Sequence, residues 1–223
     1  MVPEFDWPQI DTVLLDMDGT LLDLEFDSHF WLSLVPQALS ERRTIPFDEA
    51  RNIIEREYQA VQHTMNWYCF DYWSERLDLD IYRMTSEVGS RARLREDTEP
   101  FLQALRDAGL QTILLTNAHP HSLAVKIEHT GLDRHLDLLF STHTFGYPKE
   151  DQRLWQAAAH RIQSAAHAVR RRRRADPRRG TRFRHSLLPG VQNPDSSTAE
   201  KLPAPSVDAR LSPADTGAGQ GEA

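Results

Sequence analysis

The sequence of 223 residues predicts an α/β fold, a Rossmann-like parallel sheet with helices on both faces and an inserted helical cap. Two observations lead to this prediction. Three short apolar segments alternate with amphipathic helical patterns, an order typical of a parallel sheet. A long segment between the first two of them, residues 22–94, has no strand signal. The length is sufficient for one domain that carries such an insertion.

The predicted strands are short apolar runs bounded by turn residues, as in strands buried within a parallel sheet. The first is TVLLD (12–16), which leads into DMDGT, where Gly19 suits a sharp turn. The second is QTILLTN (111–117), and the third, with its loop, is DLLFSTHTFG (137–146). Residues that follow parallel strands meet at one edge of the sheet, where α/β proteins bind their ligands.

Helices are predicted from apolar residues at helical spacing and from residues that favour helix ends. Within the insertion, 47–63 has this pattern and 66–77 is dense in aromatic residues. The segment 97–110 begins with capping residues and ends at a glycine. Two further helices are predicted at 121–132 and 149–163.

These patterns divide the chain into four parts. The sheet and its helices form a core comprising 8–21 and 95–160, and the helical cap comprises 22–94. An Arg-rich segment follows at 161–189. Residues 190–223 have the Pro-, Ala- and Ser-rich composition of a disordered tail. The cap is therefore an insertion into the core.

The charge of the chain changes abruptly along its length. Residues 1–160 carry a net charge of −13, residues 161–184 a net charge of +9, and the whole chain a net charge of −7. A mean hydropathy of −0.57 and the lack of a long apolar run argue against a membrane-spanning helix. The acidic N-terminus lacks a secretory pattern, and the single cysteine, Cys69, allows no intramolecular disulfide. We expect a cytoplasmic protein without membrane partners, and its oligomeric state stays open.

Polar side chains suited to phosphate chemistry follow all three predicted strands. Asp16 and Asp18 flank one residue at the first strand end, so both carboxylates can face one cleft. Two carboxylates this close favour a hard divalent cation such as Mg²⁺. Thr116 and Asn117 end the second strand with a hydroxyl and an amide, and Lys149 follows the third. This set suits phosphoryl transfer, with one aspartate as nucleophile and the other as acid and base.

Each of these features alone has a simpler structural explanation. An isolated pair of aspartates is usually a solvated turn, a Thr-Asn pair after a strand is usually a helix cap, and a single lysine is usually exposed. Only their combination at three consecutive strand ends indicates a site. His119 and His121 lie beside the second strand end, but a histidine near a helix start is more often a cap or a structural hydrogen-bonding group.

The motifs LLDMDGTLLD (14–23), ILLTNA (113–118) and FGYPKEDQRLW (145–155) resemble the first three motifs of the haloacid dehalogenase-like phosphohydrolases. Over about residues 8–160, the sequence is similar to the bacterial GMP/IMP nucleotidases of that superfamily, and the similarity returns at 190–201. This resemblance implies a Mg²⁺-dependent hydrolase that cleaves purine nucleoside 5′-monophosphates.

The resemblance also implies a role for each candidate residue. Asp16 would be the nucleophile that forms an aspartyl-phosphate, and Asp18 would be the general acid and base. Thr116, with Asn117 beside it, would hold the phosphoryl group. Lys149 would stabilise the phosphoryl group and orient Asp16. The carboxylate of Asp16 and the main-chain oxygen of Asp18 would bind Mg²⁺.

Under the same resemblance, the cap closes over the substrate and expels water. Its aromatic residues could stack on a purine, although packing within the cap is the commoner role for such residues. These residues are Trp67, Tyr68, Phe70, Tyr72 and Trp73. A sugar phosphate or phosphoglycolate is the alternative substrate class, because only cap contacts distinguish these substrates from nucleotides.

The family's fourth motif, a strand ending in paired acids that completes the metal site, is absent from its expected place. Residues 165–185 read AAHAVRRRRRADPRRGTRFRH instead. One interpretation is a non-catalytic nucleic-acid binder that uses Arg170–Arg174, but no aromatic residues interleave with these arginines. Out-of-frame translation of 161–189 explains the segment better. Codons for Val169 to Arg178, read one nucleotide later, can encode Phe-Val-Asp-Asp-Gly-Glu-Pro-Ile-Leu.

Loss of the paired acids has two physical consequences. Mg²⁺ loses carboxylate ligands, and the sheet loses a strand with its following helix. We therefore predict that the chain as written is weakly active or poorly folded. Nucleotide sequencing across codons 155–205 tests the out-of-frame hypothesis, which an uninterrupted frame encoding these arginines would overturn.

Overall fold

The computed structural model describes residues 9–175, with side chains through residue 171, and its centre is a parallel sheet. The three strands are β1 (Thr12–Leu15), β2 (Gln111–Thr116) and β3 (Leu138–Ser141), with β2 in the middle. Both pairings are parallel, so the carboxyl ends of all three strands meet at one edge. The predicted α/β core is confirmed. The predictions for residues 176–223 lie outside the described residues.

The described chain between β1 and β2 is helical, as predicted for the cap. It begins with one continuous helical segment, made of α1 (Glu25–His29), a π-helical turn (Phe30–Leu34) and α2 (Val35–Arg43). The helices that follow in this region are α3 (Phe47–Val61), α4 (Met65–Tyr68), α5 (Phe70–Leu77) and α6 (Ile81–Glu87), and then a 3₁₀ turn (Gly89–Arg91).

The helices of the core flank the strands. They are α7 (Thr98–Asp107), α8 (Pro120–Thr130) and α9 (Gln152–Ala175), with 3₁₀ turns at Leu132–His135 and Thr142–Thr144. Within residues 9–175, none of the helices combines the length and the apolar character needed to cross a bilayer.

Helix α9 is longer than its sequence pattern predicts. The prediction ended this helix at residue 163, but it continues to Ala175, through the first half of the Arg-rich segment. Its buried face continues as well, because Ile162, Ala166 and Val169 are all largely inaccessible to solvent. Arginine is a good helix former, so a run of arginines does not end a helix that packing already supports.

Helices cover both faces of the sheet, as predicted. All six residues of β2 are buried, and alternate residues point to opposite faces. On one face, Ile113 and Leu115 pack in a cluster with Leu154 of α9. On the other face, Leu114 packs in a cluster with Leu102 of α7. The apolar run of β2 thereby fixes the position of both helical layers.

The cap has a hydrophobic core of its own, which contains two of the aromatic residues noted in the sequence. Trp73 is fully buried, and its Nε1 donates a hydrogen bond to the carbonyl oxygen of Trp67 at 2.9 Å. Phe70 is also buried in this cluster, together with Phe30. Phe70 and Trp73 therefore have the packing role that is commoner for such residues.

Two segments join the cap to the core, and they pair with each other. The N–H of Asp23 donates to the carbonyl oxygen of Arg93 at 3.1 Å, and the N–H of Arg95 donates to that of Leu21 at 3.0 Å. The incoming and outgoing segments therefore lie side by side at the base of the cap.

The packing of α9 can be tested with two matched substitutions. Ala166→Asp places a carboxylate on the buried face of the helix, and Ala168→Asp places one on the exposed face. We expect Ala166→Asp to lower the free energy of unfolding by about 3 kcal/mol, because a buried charge without a partner is costly. Ala168→Asp should cost less than about 1 kcal/mol. Equal losses in chemical denaturation would contradict the packing of α9 on the sheet.

Candidate active site

The sheet brings the predicted site residues from all three strands to one edge. Asp16 follows β1, Thr116 is the last residue of β2, and Lys149 lies in the loop before α9. The ammonium nitrogen of Lys149 lies 2.5 Å from Oδ1 of Asp16, across 133 residues of sequence. The Asp16 side chain is 40% exposed, so its carboxylate is accessible while one oxygen is held by the lysine.

A tight turn after β1 fixes the two aspartates around a buried methionine. The side chain of Met17 is fully buried, and its carbonyl oxygen accepts hydrogen bonds from the N–H groups of Leu21 and Leu22 at 2.8 and 2.9 Å. Gly19 has a φ of +75°, a left-handed conformation that favours glycine. The turn that the DMDGT motif predicts is therefore present, and it carries both carboxylates.

Asp18 is held by Lys126, a residue that the sequence motifs did not indicate. Lys126 lies on α8 with its side chain 1% exposed, and it donates to Oδ1 of Asp18 at 2.7 Å. It also donates to both carboxylate oxygens of Asp27, at 2.8 Å each. One sequence feature could have indicated this contact. Lys126 follows Leu123 by three residues, which places it on the buried face of an amphipathic helix.

The surroundings of Asp18 change its acidity. Burial raises the pKa of Asp18 to about 6, because it penalises the charged carboxylate. The Lys126 ammonium opposes this rise, while the negative charges of Asp27 and Asp16 add to it. Asp18 can therefore exist in both protonation states near neutral pH, unlike an ordinary exposed aspartate.

The side chains of Thr116 and Asn117 are engaged within the protein. Oγ1 of Thr116 accepts a hydrogen bond from the Ala118 N–H at 3.1 Å. Oδ1 of Asn117 accepts from the backbone N–H of Lys149 at 2.9 Å and from Oγ1 of Thr142 at 3.1 Å. Asn117 therefore fixes the loop that carries Lys149, and a phosphate contact of its amide would compete with these bonds.

Two further residues belong to the site: Glu150, which sequence reasoning missed, and Tyr68, which it named only as an aromatic residue of the cap. Nδ2 of Asn117 donates to both carboxylate oxygens of Glu150, at 3.0 and 3.3 Å. The Tyr68 hydroxyl, from α4 of the cap, donates to Oε1 of Glu150 at 3.0 Å. Burial, and next the charge of Glu150, raise the pKa of Tyr68 well above its usual range, so the hydroxyl stays a donor. The carboxylate of Glu150 is thus one point at which the cap contacts the site.

His119 and His121 connect α8 to the cap. Nδ1 of His119 accepts from the N–H of His121 at 3.2 Å and caps the helix. Its ring stacks on Phe70, with centroids 4.6 Å apart and planes at 10°. Nε2 of His121 lies 3.0 Å from Oγ of Ser86 and 3.1 Å from the carbonyl oxygen of Tyr82. Both histidines have structural contacts, the role that the sequence favoured for them.

The sequence pattern of the haloacid dehalogenase-like hydrolases matches residues 10–169, most of the chain. The chain belongs to this family. The match includes residues 161–169, the first part of the Arg-rich segment. The out-of-frame hypothesis for 161–189 is tested by no comparison and stays a prediction.

Within the haloacid dehalogenase-like hydrolases, the chain is similar to two curated nucleotidases. It is 57% identical over 200 residues to the GMP/IMP nucleotidase YrfG of Escherichia coli (strain K12), covering 87% of this chain and 89% of that protein. The same values hold for the GMP/IMP nucleotidase YrfG of Shigella flexneri. A solved HAD phosphatase from Thermococcus onnurineus has a TM-score of 0.60 at 24% identity, covering 69% of this chain and 72% of that one. This last likeness supports the fold alone.

Buried histidines make the stability of this hydrolase sensitive to acid. Burial lowers the pKa of His119 to about 3 and that of His143 to about 4, against 6.5 for an unperturbed histidine. Below pH 6.5 the unfolded chain therefore binds protons that the folded chain does not. The free energy of unfolding should decrease as the pH falls from 6.5 toward 4, by at most about 1.4 kcal/mol per pH unit for each histidine.

His119→Asn tests this prediction, because asparagine retains an N-cap acceptor but does not titrate. We expect this variant to lose less stability between pH 6.5 and pH 4 than the unsubstituted protein, as measured by urea denaturation across that range. His160→Asn, at an exposed position on α9, is the matched control and should retain the original pH dependence. Identical pH dependence in the His119→Asn variant and the unsubstituted protein would contradict the prediction.

Proposed function

We propose that this hydrolase removes phosphate from purine nucleoside 5′-monophosphates, with GMP and IMP as substrates. The observation that supports the reaction class is the contact between Asp16 and Lys149 at the converging strand ends. The substrate class is supported by the 57% identity to proteins named GMP/IMP nucleotidase, over 89% of their length. In this proposal the catalytic core is 8–21 with 95–160, and the cap is 22–94.

The proposed reaction has two displacement steps on phosphorus. In the first, a carboxylate oxygen of Asp16 attacks phosphorus, the bond to the ribose 5′ oxygen breaks, and that oxygen takes a proton from Asp18. In the second, water attacks the aspartyl-phosphate and gives a proton to Asp18, and the bond between phosphorus and Asp16 breaks. One water is consumed, and the nucleoside and inorganic phosphate are released.

Lys149 supports the nucleophile in this scheme. Its ammonium holds one oxygen of Asp16 at 2.5 Å, which fixes the direction of the carboxylate. The same positive charge lies where the phosphoryl oxygens gain negative charge during transfer. Phosphoryl transfer depends mostly on positioning and charge neutralisation, and this contact supplies both.

Asp18 suits the role of general acid and base. Its pKa of about 6 allows it to be protonated when the leaving oxygen needs a proton and ionised when water must lose one. An aspartate that donates in the first step is left ionised for the second, so one group serves both steps.

Mg²⁺ is the cofactor that we propose, and the oxygen groups at the end of β1 fit it. The Asp16 carboxylate and the main-chain oxygen of Asp18 are hard donors two residues apart in one turn, and Mg²⁺ commonly takes one or two protein carboxylates together with water and substrate phosphate. Within residues 9–175, no group of three or more His, Cys, Asp or Glu side chains is placed to hold a metal ion. When bound, Mg²⁺ would neutralise charge on the substrate phosphate.

We assign different roles to the two residues after β2. Thr116 ends the strand beside Asp16 and is the proposed phosphate contact. The amide of Asn117 donates a hydrogen bond to Glu150 and accepts one from the backbone N–H of Lys149. Its proposed contribution to substrate binding is therefore to hold Lys149 in place.

The nucleic-acid alternative has less support. Arg170 forms an ion pair with Asp11 and donates to Oγ1 of Thr12 at 2.6 Å, so its charge is used within the chain. The side chains of 172–174 lie outside the described part. Salt-sensitive binding of DNA or RNA that disappears when 165–185 is deleted would favour this alternative.

Phosphate release from a substrate panel tests the proposed function. The panel contains GMP, IMP, a sugar phosphate and phosphoglycolate, each assayed with Mg²⁺. We expect the nucleotides to be preferred, and Asp16→Asn to lower turnover at least about a thousandfold, because an amide cannot form the acyl phosphate. Asp107→Asn, at an exposed position on α7, should retain activity. A near-normal rate for Asp16→Asn would refute the assignment of Asp16 as the nucleophile. A preference for the sugar phosphate or phosphoglycolate would refute the proposed substrate class.

Removal of divalent metal tests the proposed cofactor. Chelation with EDTA should reduce phosphate release from GMP to background, and added Mg²⁺ should restore it, because the metal ion would neutralise negative charge that Lys149 alone does not balance. Turnover that persists unchanged after extensive chelation would contradict the assignment.

We further propose that activity is impaired in the chain as written, because the paired acids of the fourth motif are absent after Val169. A chain in which 161–189 is restored to the alternative reading frame should hydrolyse GMP at a higher Mg²⁺-dependent rate. Equal rates for the two chains would refute the impairment.

A further inference from the structure

We propose that Lys126 and Asp27 position the carboxylate of Asp18 for proton transfer, acting from two different parts of the molecule. The inference rests on the proposed phosphatase reaction, in which Asp18 protonates the leaving oxygen. Lys126 and Asp27 are positioning residues in this account, because they act through Asp18 rather than on the substrate.

All three N–H donors of the Lys126 ammonium are used. One binds Oδ1 of Asp18 at 2.7 Å, and two bind the oxygens of Asp27 at 2.8 Å. The lysine side chain is 1% exposed, so water does not compete for these donors. The ammonium also lies 4.9 Å from the ring centre of Phe26. Its position is therefore fixed on every side, and it holds one oxygen of Asp18 in one direction.

The charges make the three groups depend on each other. A buried ammonium without a carboxylate is costly, and two neighbouring carboxylates without a cation repel each other. Removal of Asp27 would free two donors of Lys126, which could then turn toward the second oxygen of Asp18. Removal of Lys126 would leave two carboxylates that move apart. Either change alters the direction of Asp18 without touching the substrate.

Asp27 is itself held in place by packing. It lies on α1, next to Phe26, which is buried in a cluster with Val125 of α8 and Ala92. The first helix of the cap is therefore fixed to the same helix that carries Lys126. The Lys126 ammonium contacts α1 through Asp27 and the turn after β1 through Asp18. The orientation of Asp18 therefore depends on the cap as well as on the core.

The two aspartates are held by separate lysines. Lys149 contacts Asp16, and Lys126 contacts Asp18. A defect at Lys126 or Asp27 should therefore affect proton transfer to the leaving group and spare the attack by Asp16. This separation can be measured with substrates whose leaving groups differ in their need for a proton.

The experiment compares kcat/KM for GMP with kcat/KM for p-nitrophenyl phosphate in the full chain. The ribose 5′ oxygen needs a proton to leave, whereas p-nitrophenolate is a stable anion that does not. The constant kcat/KM includes only the steps through the first irreversible one, so the later hydrolysis of the aspartyl-phosphate does not enter. We expect Asp27→Asn to lower kcat/KM at least about tenfold for GMP but less than about threefold for p-nitrophenyl phosphate.

Lys126→Met should show the same selectivity, with a loss of about a hundredfold for GMP. Because a buried lysine can be needed for folding, Asp27→Asn alone suffices for the test, and urea denaturation shows whether each variant is folded. Asp137→Asn is the matched control. Asp137 is a buried carboxylate at the opposite edge of the sheet, where Oδ2 accepts from the Thr112 N–H at 3.0 Å. Any loss in this control should be equal for the two substrates.

The outcomes separate this inference from the proposed function. A selective loss with GMP in the folded Asp27→Asn variant supports the inference. Equal losses with both substrates, or no loss, overturn it while the proposed function stands. If the unsubstituted protein releases phosphate from neither substrate, the proposed function fails and the inference fails with it.

Discussion

The parallel packing of the three described strands is the constraint on which the site depends, because it brings Lys149 to Asp16. These residues are 133 positions apart, and they meet only because β1 and β3 flank β2 in parallel. An ion pair at the molecular surface contributes at most about 1 kcal/mol, too little to impose such an arrangement. The burial of β2 between two helical layers imposes it instead. A slip of one residue would turn Ile113 and Leu115 toward the wrong layer, so apolar packing determines where the charges lie.

Each of the two neighbouring aspartates contacts a different lysine, and the two lysines differ in their exposure to solvent. The side chain of Lys149 is 25% exposed and can contact a ligand, whereas that of Lys126 is almost completely enclosed. Their surroundings give the two carboxylates different chemistry, although they lie in one short turn. Asp16 keeps an accessible oxygen beside a cation, which suits a nucleophile. Asp18 is more buried and shares its cation with Asp27, which raises its pKa and suits proton transfer.

Much of this site follows from the sequence, and the remainder depends on tertiary packing. The order of strands and the polar residues after each of them predict that Asp16 and Lys149 meet, because parallel strands end at one edge. No local pattern reveals that Lys126 turns inward to Asp27, since a lysine on a helix is usually exposed. The contact of Tyr68 with Glu150 likewise depends on how the cap packs, which residue spacing does not encode. Helix α9 also extends beyond its predicted end because of tertiary packing. Burial against the sheet stabilises helical residues after 163, which the charge pattern had assigned to a separate Arg-rich segment.

The base of the cap is braced on more than one side. The segments that enter and leave it pair through Asp23 and Arg93, and the buried ammonium of Lys126 ties α1 to the core. The junction is therefore held both by backbone hydrogen bonds and by the ion pair of that ammonium. The π-helical turn at Phe30–Leu34 follows this brace, and its Phe30 is buried in the hydrophobic core of the cap. Asp18 and α1 are held by the same ammonium, so the direction of the Asp18 carboxylate is tied to the position of the first helix of the cap.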